Sequence, residues 1–322
     1  MRIAKWALIV LASLIGVGVL GVVAIIGFVT YRGAHYYDFV ATGGPIEAMY
    51  TPMGPFDVSH EEIDTTGAPE GIQQVWYPSE LPGAEGSYPV VVIANGTGVP
   101  ASKTEPALRH LASWGFIVIG NEDENSRTGE SSVASLQFIL DSNDDPHSTF
   151  HDHVDTSNVG IAGHSQGGVG AINAATARPG GDRFTALFAA SPTGRYWGQD
   201  AVFGPEWSYD ATRLAIPSFL IAGTGAFDAG TATDISATDG QGISPLWSLE
   251  DTFAEIPDSV TKVIALRADT DHSDTLTTGS GYMTAWFRYW LQHDQDAAGA
   301  FTGTTPEITL NDNWKNVRIG GE

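Results

Sequence analysis

A serine lies between two glycines in the segment Gly163-His164-Ser165-Gln166-Gly167, which has the pattern G-x-S-x-G. Glycine is common in this chain, 38 of 322 residues, so the pattern has weight only through its surroundings. The apolar run VGIA precedes it and an alanine-rich run with helical character follows. In such a strand–turn–helix context the pattern predicts a nucleophile on a sharp turn, where flanking side chains would collide with strand or helix. The dipole of the following helix favours developing negative charge, so Ser165 is the predicted nucleophile.

A serine hydroxyl is a weak nucleophile and needs a neighbouring base. Where this motif occurs, the chain order is serine, then acid, then histidine. Of the nine histidines, His272 and His293 follow the body of the predicted sheet. His272 comes directly after the apolar run KVIAL, where the base belongs, whereas His293 lies beside Gln292 and Asp294 on the last predicted helix. We predict His272 as the base and interpret His293 as a surface residue.

The acid of such a site orients the imidazole and stabilises its protonated form. It should follow the apolar run SFLIA, and Asp228 is the first carboxylate after that run. Asp228 is therefore the predicted acid. Asp234 and Asp239 follow in the same segment and stay open as alternatives.

Two backbone N–H groups are needed to hold the oxyanion that forms during acyl transfer. The residue after the nucleophile, Gln166, supplies the first. The loop Asn95-Gly96-Thr97-Gly98 after the run VVIA supplies the second, with Thr97 as the first choice and Gly96 as the alternative. Asn95 also begins an N-x-[ST] glycosylation pattern, which we set aside because a glycan there would block the predicted site.

Two tryptophans follow the apolar run FTALFA on the side where a substrate would lie. Trp197 and Trp207 either line an acyl or aromatic pocket or pack within a cap. The residue types leave both interpretations open.

The elements that would position these residues alternate between short apolar runs and helical segments. This alternation predicts an α/β fold with a mostly parallel sheet covered on both faces. Residues 228–258 are predicted to form a long loop with one short helix. Strands are predicted at 72–77, 89–94, 116–119, 159–162, 184–189, 218–222 and 262–266, and helices at 105–114, 130–140, 169–177 and 283–292.

The first thirty residues differ from the rest of the chain. Trp6 to Val29 form a segment without charged residues. This segment is long enough to span a bilayer. Arg2 and Lys5 precede this segment, so the positive-inside bias places the N-terminus in the cytoplasm and the body outside. We predict a single-pass membrane anchor at residues 1–30, a stalk with early edge strands at 31–70 and a catalytic domain at 71–322. A cleaved signal peptide, which would make the protein secreted, is the alternative.

Composition excludes several kinds of function. The chain has 38 acidic and 15 basic side chains, a net charge of −23. Nothing in it would neutralise phosphates, so no nucleic-acid partner is expected. The absence of cysteine excludes disulfides, thiolate metal sites and a cysteine nucleophile.

Two further patterns have plainer interpretations. The G-x-G-x-x-G pattern at Gly16 to Gly21 falls inside the predicted membrane span, so it does not indicate a dinucleotide site. Histidines and carboxylates between His147 and Asp155 could bind a metal, but a polar loop is the preferred interpretation. We therefore predict no metal site.

Taken together, these segments resemble the α/β-hydrolases of the bacterial cutinase, polyester hydrolase and dienelactone hydrolase group, and more loosely the plant chlorophyllases. The resemblance covers roughly Pro89 to Phe301. The segments that carry it are PVVVIANGTG, LRHLASWGFIVI, VGIAGHSQGG, IPSFLIAGTG, DHSDTL and TAWFRYWLQHDQDAAGAF.

This resemblance implies the α/β-hydrolase fold, Ser165 as nucleophile, His272 as base, and the N–H groups of Thr97 and Gln166 as the oxyanion hole. It also implies ester hydrolysis through an acyl-enzyme without a cofactor. The acid departs from the family pattern. Polyester hydrolases carry it near the position of Ala226, and chlorophyllase-like members carry it after the preceding strand, where this chain has Ser191-Pro192.

The sequence therefore predicts a membrane-anchored serine hydrolase that faces outward and cleaves a small-molecule or lipid-like carboxylic ester. Acyl transfer or peptide hydrolysis by the same three residues is an alternative. A non-catalytic binding or envelope-structural protein on a hydrolase scaffold is another.

Overall fold

The computed structural model describes residue 37, residues 40–67 and residues 71–321. The predicted membrane span lies outside these residues. Within them, no helix is both long and apolar enough to cross a membrane.

The strands of the described residues are β1 (Val58–Asp64), β2 (Ile72–Pro78), β3 (Tyr88–Ala94), β4 (Ile117–Asn121), β5 (Val154–His164), β6 (Ala186–Ala190), β7 (Ser218–Gly223), β8 (Lys262–Arg267) and β9 (Trp314–Gly320). They form one sheet, whose order is β1-β2-β4-β3-β5-β6-β7-β8-β9, and the apolar runs predicted as strands correspond to β2 to β8. The six strands from β4 to β8 in this order are parallel to one another, whereas β1, β2 and β9 pair antiparallel at the two edges. The predicted α/β class with a mostly parallel sheet is confirmed.

Helices cover both faces of this sheet, so its central strands are buried on both sides and read as continuous apolar runs. Along β3, Val90 and Val92 belong to one hydrophobic core, and Val91 and Ile93 belong to the other. The helices of the described residues are α1 (Pro45–Tyr50), α2 (Glu105–Ser113), α3 (Glu130–Asp144), α4 (Gln166–Ala177), α5 (Ala226–Ala229), α6 (Leu246–Glu255), α7 (Thr275–Thr278), α8 (Ser280–Gln292), α9 (Gln295–Ala298) and α10 (Glu307–Leu310).

The strand order reverses at β3. The chain passes from β3 to β4 on one side and then returns across β3 to β5 on the other. In an open α/β sheet, the loops after the two strands at such a reversal diverge and leave a crevice at their carboxyl ends. The glycine-rich loop after β3 and the G-x-S-x-G turn after β5 both lie at this crevice.

Several elements differ from the sequence-based expectation, among them β9, α6 and β5. The edge strand β9 was not predicted, because its sequence WKNVRIG mixes one buried tryptophan with exposed charged residues. Helix α6 has 10 residues where one short helix was expected in a long loop. Strand β5 begins at Val154, five residues before the predicted start, because Val154 and Asp155 pair with β3 ahead of a register shift. Polar residues 156–158 fall at that shift and hide the strand from a search for apolar runs.

Candidate active site

Ser165 is the single residue between β5 and α4. Its backbone has φ 58° and ψ −123°, which is an uncommon and strained conformation for a residue other than glycine. The Ser165 N–H donates to the carbonyl oxygen of Ala190 at the end of β6, at 3.0 Å. This bond fixes the turn against the neighbouring strand. The predicted strand–turn–helix context of the serine is present.

The two glycines of the motif allow the close approach that this turn needs. A Cβ at Gly163 would lie 2.0 Å from the carbonyl oxygen of Gly167. A Cβ at Gly167 would lie 2.0 Å from the carbonyl oxygen of Ala94 on β3. Both distances fall well inside van der Waals contact with rigid backbone, so any larger residue at either position would push α4 away from the sheet.

His272 lies in a short turn after β8 and reaches the serine. Its Nε2 is 2.9 Å from Ser165 Oγ. The imidazole is mostly buried, with 13% of its side chain exposed. By contrast, His293 is exposed and ends α8 in a left-handed conformation with φ 57°. The histidine that the sequence assigned to the base is the one beside Ser165.

Asp228 lies on α5, directly after β7, and is completely buried. Its Oδ1 is 2.7 Å from Nδ1 of His272. A carboxylate can only accept, so Nδ1 carries the proton and Nε2 presents its lone pair to the Ser165 hydroxyl. The alternative acids are elsewhere: Asp234 and Asp239 are exposed, and Asp234 accepts bonds from Ser236 in its own turn. The structure thus brings together Ser165, His272 and Asp228, whose catalytic roles remain predictions.

The second oxygen of Asp228 has two donors of its own. Oδ2 accepts from the Gly223 N–H at 2.7 Å and from the Ser191 hydroxyl at 2.5 Å. Ser191 follows β6, and its hydroxyl donates to Asp228 rather than replacing it. The sequence showed the position but gave no signal for this role.

His164 is a site residue that the sequence reasoning missed. Its Nε2 donates to the backbone carbonyl oxygen of His272 at 2.7 Å, so it fixes the turn that carries His272. Burial, reinforced by the neighbouring His272 ring, lowers the pKa of His164 to about 4. His164 therefore stays neutral at neutral pH and keeps this bond. The signal was its place inside the motif, immediately before the nucleophile.

Of the two predicted oxyanion donors, Thr97 lies in the loop after β3 and Gln166 is the first residue of α4. The side-chain amide of Gln166 donates to Thr97 Oγ1 at 3.1 Å and so joins the helix to the loop. Neither backbone N–H of these two residues donates a hydrogen bond within the described part of the chain. Both groups are therefore available to a developing oxyanion, which is how the sequence assigned them.

Asn95 anchors the loop that carries Thr97. It is buried, and its Nδ2 donates to the carbonyl oxygens of Asn121 at 2.7 Å and Asp123 at 2.8 Å. Its own carbonyl accepts from the Ser126 hydroxyl at 2.5 Å. The side chain that matches the glycosylation pattern is thus enclosed and engaged in holding the loop.

Trp197 and Trp207 meet through a third aromatic ring. Phe203 stacks on Trp197 with ring centroids 5.0 Å apart and lies 5.1 Å from Trp207. The indole N–H of Trp197 donates to the Gly242 carbonyl at 2.8 Å, and the Arg127 guanidinium lies over Trp207 at 5.3 Å. The segment that carries these rings starts at the site, because the Thr193 N–H donates to the Ser165 carbonyl at 3.3 Å. Their role in a pocket remains a prediction.

The histidines before β5 point to separate backbone acceptors. Nδ1 of His151 is 2.9 Å from the Asn143 carbonyl, and Nδ1 of His153 is 3.1 Å from the Gly86 carbonyl. Among the residues that the structure describes, no group of three or more potential metal ligands is found.

Comparison with known proteins gives the family. A family model described as PET hydrolase-like matches residues 41–203, just over half of the chain, and begins well before the region on which the resemblance rested. The bis(hydroxyethyl) terephthalate hydrolase of Streptomyces coelicolor is 26% identical over 287 residues, which are 84% of this chain and 80% of that protein.

Cutinases are also similar, over a shorter stretch. Cutinase est1 of Thermobifida alba is 32% identical over 143 residues, 42% of this chain and 46% of that protein. Cutinase 2 of Thermobifida cellulosilytica is 32% identical over 133 residues, 39% of this chain and 48% of that protein. The match therefore spans just under half the length of each cutinase. This chain belongs to the PET hydrolase-like family, and its predicted class, a carboxylic ester hydrolase of the α/β-hydrolase superfamily, is confirmed.

Proposed function

We propose that this protein is a serine esterase that cleaves its substrate through an acyl-enzyme, with Ser165, His272 and Asp228 as the catalytic triad. One observation carries the proposal. A continuous line of hydrogen bonds runs from Ser165 Oγ to His272 Nε2 at 2.9 Å and from His272 Nδ1 to Asp228 at 2.7 Å. This is the arrangement that activates a serine hydroxyl as a nucleophile.

In the first half of the reaction, His272 Nε2 takes the proton of Ser165 as Oγ attacks the ester carbonyl carbon. The carbonyl oxygen gains negative charge and is held by the N–H groups of Thr97 and Gln166. Asp228 stabilises the imidazolium that forms. His272 then gives the proton to the departing alcohol, which leaves the acyl group on Ser165.

In the second half, His272 removes a proton from water, which attacks the acyl-enzyme. A second oxyanion forms in the same place. As it collapses, the bond between the acyl carbon and Ser165 Oγ breaks and His272 returns its proton to Oγ, which releases the acid and restores the hydroxyl. A nucleophilic alcohol in place of water would give acyl transfer by the same steps.

The substrate that we propose is a small-molecule or lipid-like ester. The Streptomyces relative is named for bis(hydroxyethyl) terephthalate, a small ester of an aromatic diacid. The segment that carries Trp197, Phe203 and Trp207 starts at Thr193, which contacts Ser165, and its rings would suit a flat aromatic or apolar group. We propose that this ring series forms one wall of the substrate pocket.

We also propose that the enzyme acts outside the cytoplasm. The support is the sequence of residues 1–30, an uncharged segment of membrane-spanning length with positive charge at its start. In this arrangement residues 31–70 would leave the membrane as a stalk with the first edge strand, and residues 71–322 would form the catalytic domain. Cleavage of the segment would release a secreted enzyme.

The test is ester turnover by the full chain in detergent. p-Nitrophenyl esters with acyl groups of two to twelve carbons would be compared for the wild type and Ser165→Ala. We expect saturable turnover by the wild type and none above background by the variant, and the chain-length profile would size the pocket. A folded wild-type chain without turnover of any ester would overturn the proposal and favour a non-catalytic scaffold.

A further inference from the structure

Asp271, the residue before the base, holds the backbone of three site residues with one carboxylate. Its Oδ1 accepts from the N–H groups of His272 and Asp228, both at 2.9 Å. Its Oδ2 accepts from the N–H of Phe227 at 3.1 Å. The base loop after β8 and the acid helix α5 after β7 are thus tied together through this side chain.

The two loops are shaped around that carboxylate. A Cβ at Gly225 would lie 2.3 Å from Asp271 Cγ, so α5 approaches the side chain as closely as a backbone without a side chain allows. The Gly225 N–H also donates to the Thr270 carbonyl at 2.7 Å. Partial burial works against the charged carboxylate, but the three backbone donors outweigh it and hold the pKa of Asp271 below its ordinary value. Asp271 is therefore an acceptor throughout the neutral range.

The opposite side of the His272 peptide is held as well. Its carbonyl oxygen accepts from His164 Nε2 at 2.7 Å and from the Thr275 hydroxyl at 3.1 Å. Asp271 fixes the N–H of the same residue. The backbone of His272 is therefore held at both its N–H and its carbonyl, and Asp271 also accepts directly from the backbone N–H of Asp228.

From these contacts we propose that Asp271 is a positioning residue that sets the distance between Asp228 and His272, and so the reach of His272 to Ser165. The inference rests on the proposed esterase function. A displacement of about 1 Å in a catalytic group can lower the rate about 100-fold. Loss of the Asp271 hydrogen bonds should therefore lower the rate of attack by Ser165 to a similar extent for every substrate.

The experiment measures the second-order rate constant for labelling of the full chain by a fluorophosphonate, and kcat/KM for two p-nitrophenyl esters. We expect Asp271→Ala to lower both by about 10- to 100-fold. Asp271→Asn should lie between this variant and the wild type, since its amide oxygen can still accept on one side. Asp274→Asn is the matched control, because Asp274 is an exposed carboxylate of the same loop, and it should stay within about twofold of the wild type.

The fraction of chain labelled at the end point separates positioning from folding. A merely structural role would lower the labelled fraction and leave the rate constant of the labelled chains unchanged, which would overturn the inference. Asp271→Ala and Asp271→Asn rates within about twofold of the wild type would also overturn it. An unlabelled wild type would instead remove the proposed function on which the inference rests, so the two failures are distinguishable.

A second inference comes from an exposed aromatic side chain beside His272, that of Phe227. Phe227 is 61% exposed, and its ring lies edge-on to the His272 ring with centroids 5.5 Å apart. Its backbone is fixed on both sides, by Asp271 at the N–H and by the Ile243 N–H at the carbonyl, at 2.9 Å. A large apolar side chain is thus presented to solvent rigidly, beside the base.

His272 delivers its proton to the departing alcohol, so the alcohol part of the ester must lie against the open side of this imidazole. We infer that Phe227 contacts the alcohol part of the substrate and favours apolar alcohols. This inference also rests on the proposed function. It concerns the acylation step alone, because every ester of one acid gives the same acyl-enzyme.

The test compares methyl, butyl and benzyl acetate with Phe227→Ala and with Leu310→Ala as a control. Leu310 is a comparably exposed apolar residue, at 69%, on helix α10, which carries none of the proposed site residues. We expect Phe227→Ala to lower kcat/KM for benzyl acetate about 10-fold more than for methyl acetate, with butyl acetate between them. An equal effect of Phe227→Ala on all three esters, or no effect, would overturn the inference. If the wild type prefers another acyl group, the methyl, butyl and benzyl esters of that acid replace the acetates. A wild type that turns over no ester would instead remove the proposed function.

Discussion

Replacing Asp228 by asparagine changes one carboxylate oxygen into an NH2 group. The hydrogen-bond donors around the side chain decide which of the two oxygen positions the NH2 group takes. Oδ2 of Asp228 accepts from the Gly223 N–H at 2.7 Å, and a backbone N–H can only donate. The amide oxygen of Asp228→Asn must therefore face Gly223, and its NH2 group must face Nδ1 of His272. Ser191 can rotate its hydroxyl and adapt to either arrangement, so it does not oppose this one.

The consequence is a change of tautomer at the base. With an NH2 donor opposite, Nδ1 of His272 must accept, so the imidazole proton moves to Nε2. Nε2 then points an N–H at Ser165 Oγ across the 2.9 Å contact and cannot take the hydroxyl proton. We expect kcat/KM to fall about 10,000-fold, which corresponds to about 5.5 kcal/mol of lost transition-state stabilisation. The fold should persist, because no buried group loses its partner.

The assay is p-nitrophenyl butyrate hydrolysis at neutral pH, with circular dichroism to verify folding. Asp234→Asn and Asp239→Asn are the matched controls, since both residues are exposed carboxylates of the same segment, and each should stay within about twofold of the wild type. The reasoning is refuted if Asp228→Asn keeps more than about a tenth of the activity. It is equally refuted if either control abolishes activity.

Three other predictions concern stability. Gly167→Ala places a Cβ 2.0 Å from the Ala94 carbonyl oxygen. We therefore expect the free energy of unfolding, measured by urea titration, to fall by about 3 kcal/mol. An unchanged unfolding midpoint would contradict this prediction. Ser191→Ala removes a 2.5 Å bond to the buried Asp228 carboxylate and should cost about 1.5 to 3 kcal/mol in the same titration, whereas a neutral result would mean that this bond contributes nothing net. Burial lowers the pKa of His110 to about 4. The unfolded chain therefore takes up a proton near pH 6.5 that the folded chain does not. Stability should fall by about 3 kcal/mol between pH 6.5 and pH 4 from this residue, and His110→Gln should remove that part of the pH dependence.

The sequence alone was sufficient to select the candidate residues that a local pattern marks. Ser165 is marked by two glycines that the close contacts at β3 and α4 require. His272 is marked by its place directly after a buried strand. The central strands were predictable for a similar reason, since burial on both faces makes each one a continuous apolar run.

The remaining features depend on contacts between distant parts of the chain. The acid stayed open in the sequence because its position depends on the length of the loop after β7. In the structure Asp228 is the carboxylate that meets His272. Ser191 and His164 form hydrogen bonds to residues far along the chain, and no spacing rule reveals such bonds. Strand β9 is an edge strand with a mixed pattern, which apolar periodicity detects poorly.

The most direct test of Ser165 as the nucleophile is to locate a covalent adduct on the chain. The full chain would be incubated with a fluorophosphonate, digested and examined by peptide mass spectrometry, with Ser165→Ala treated in parallel. We expect one phosphonylated residue, Ser165, no adduct in the variant, and slower labelling when an ester substrate is present. A folded chain that takes up no phosphonyl group, or takes it up on another serine, would show that Ser165 is not the nucleophile.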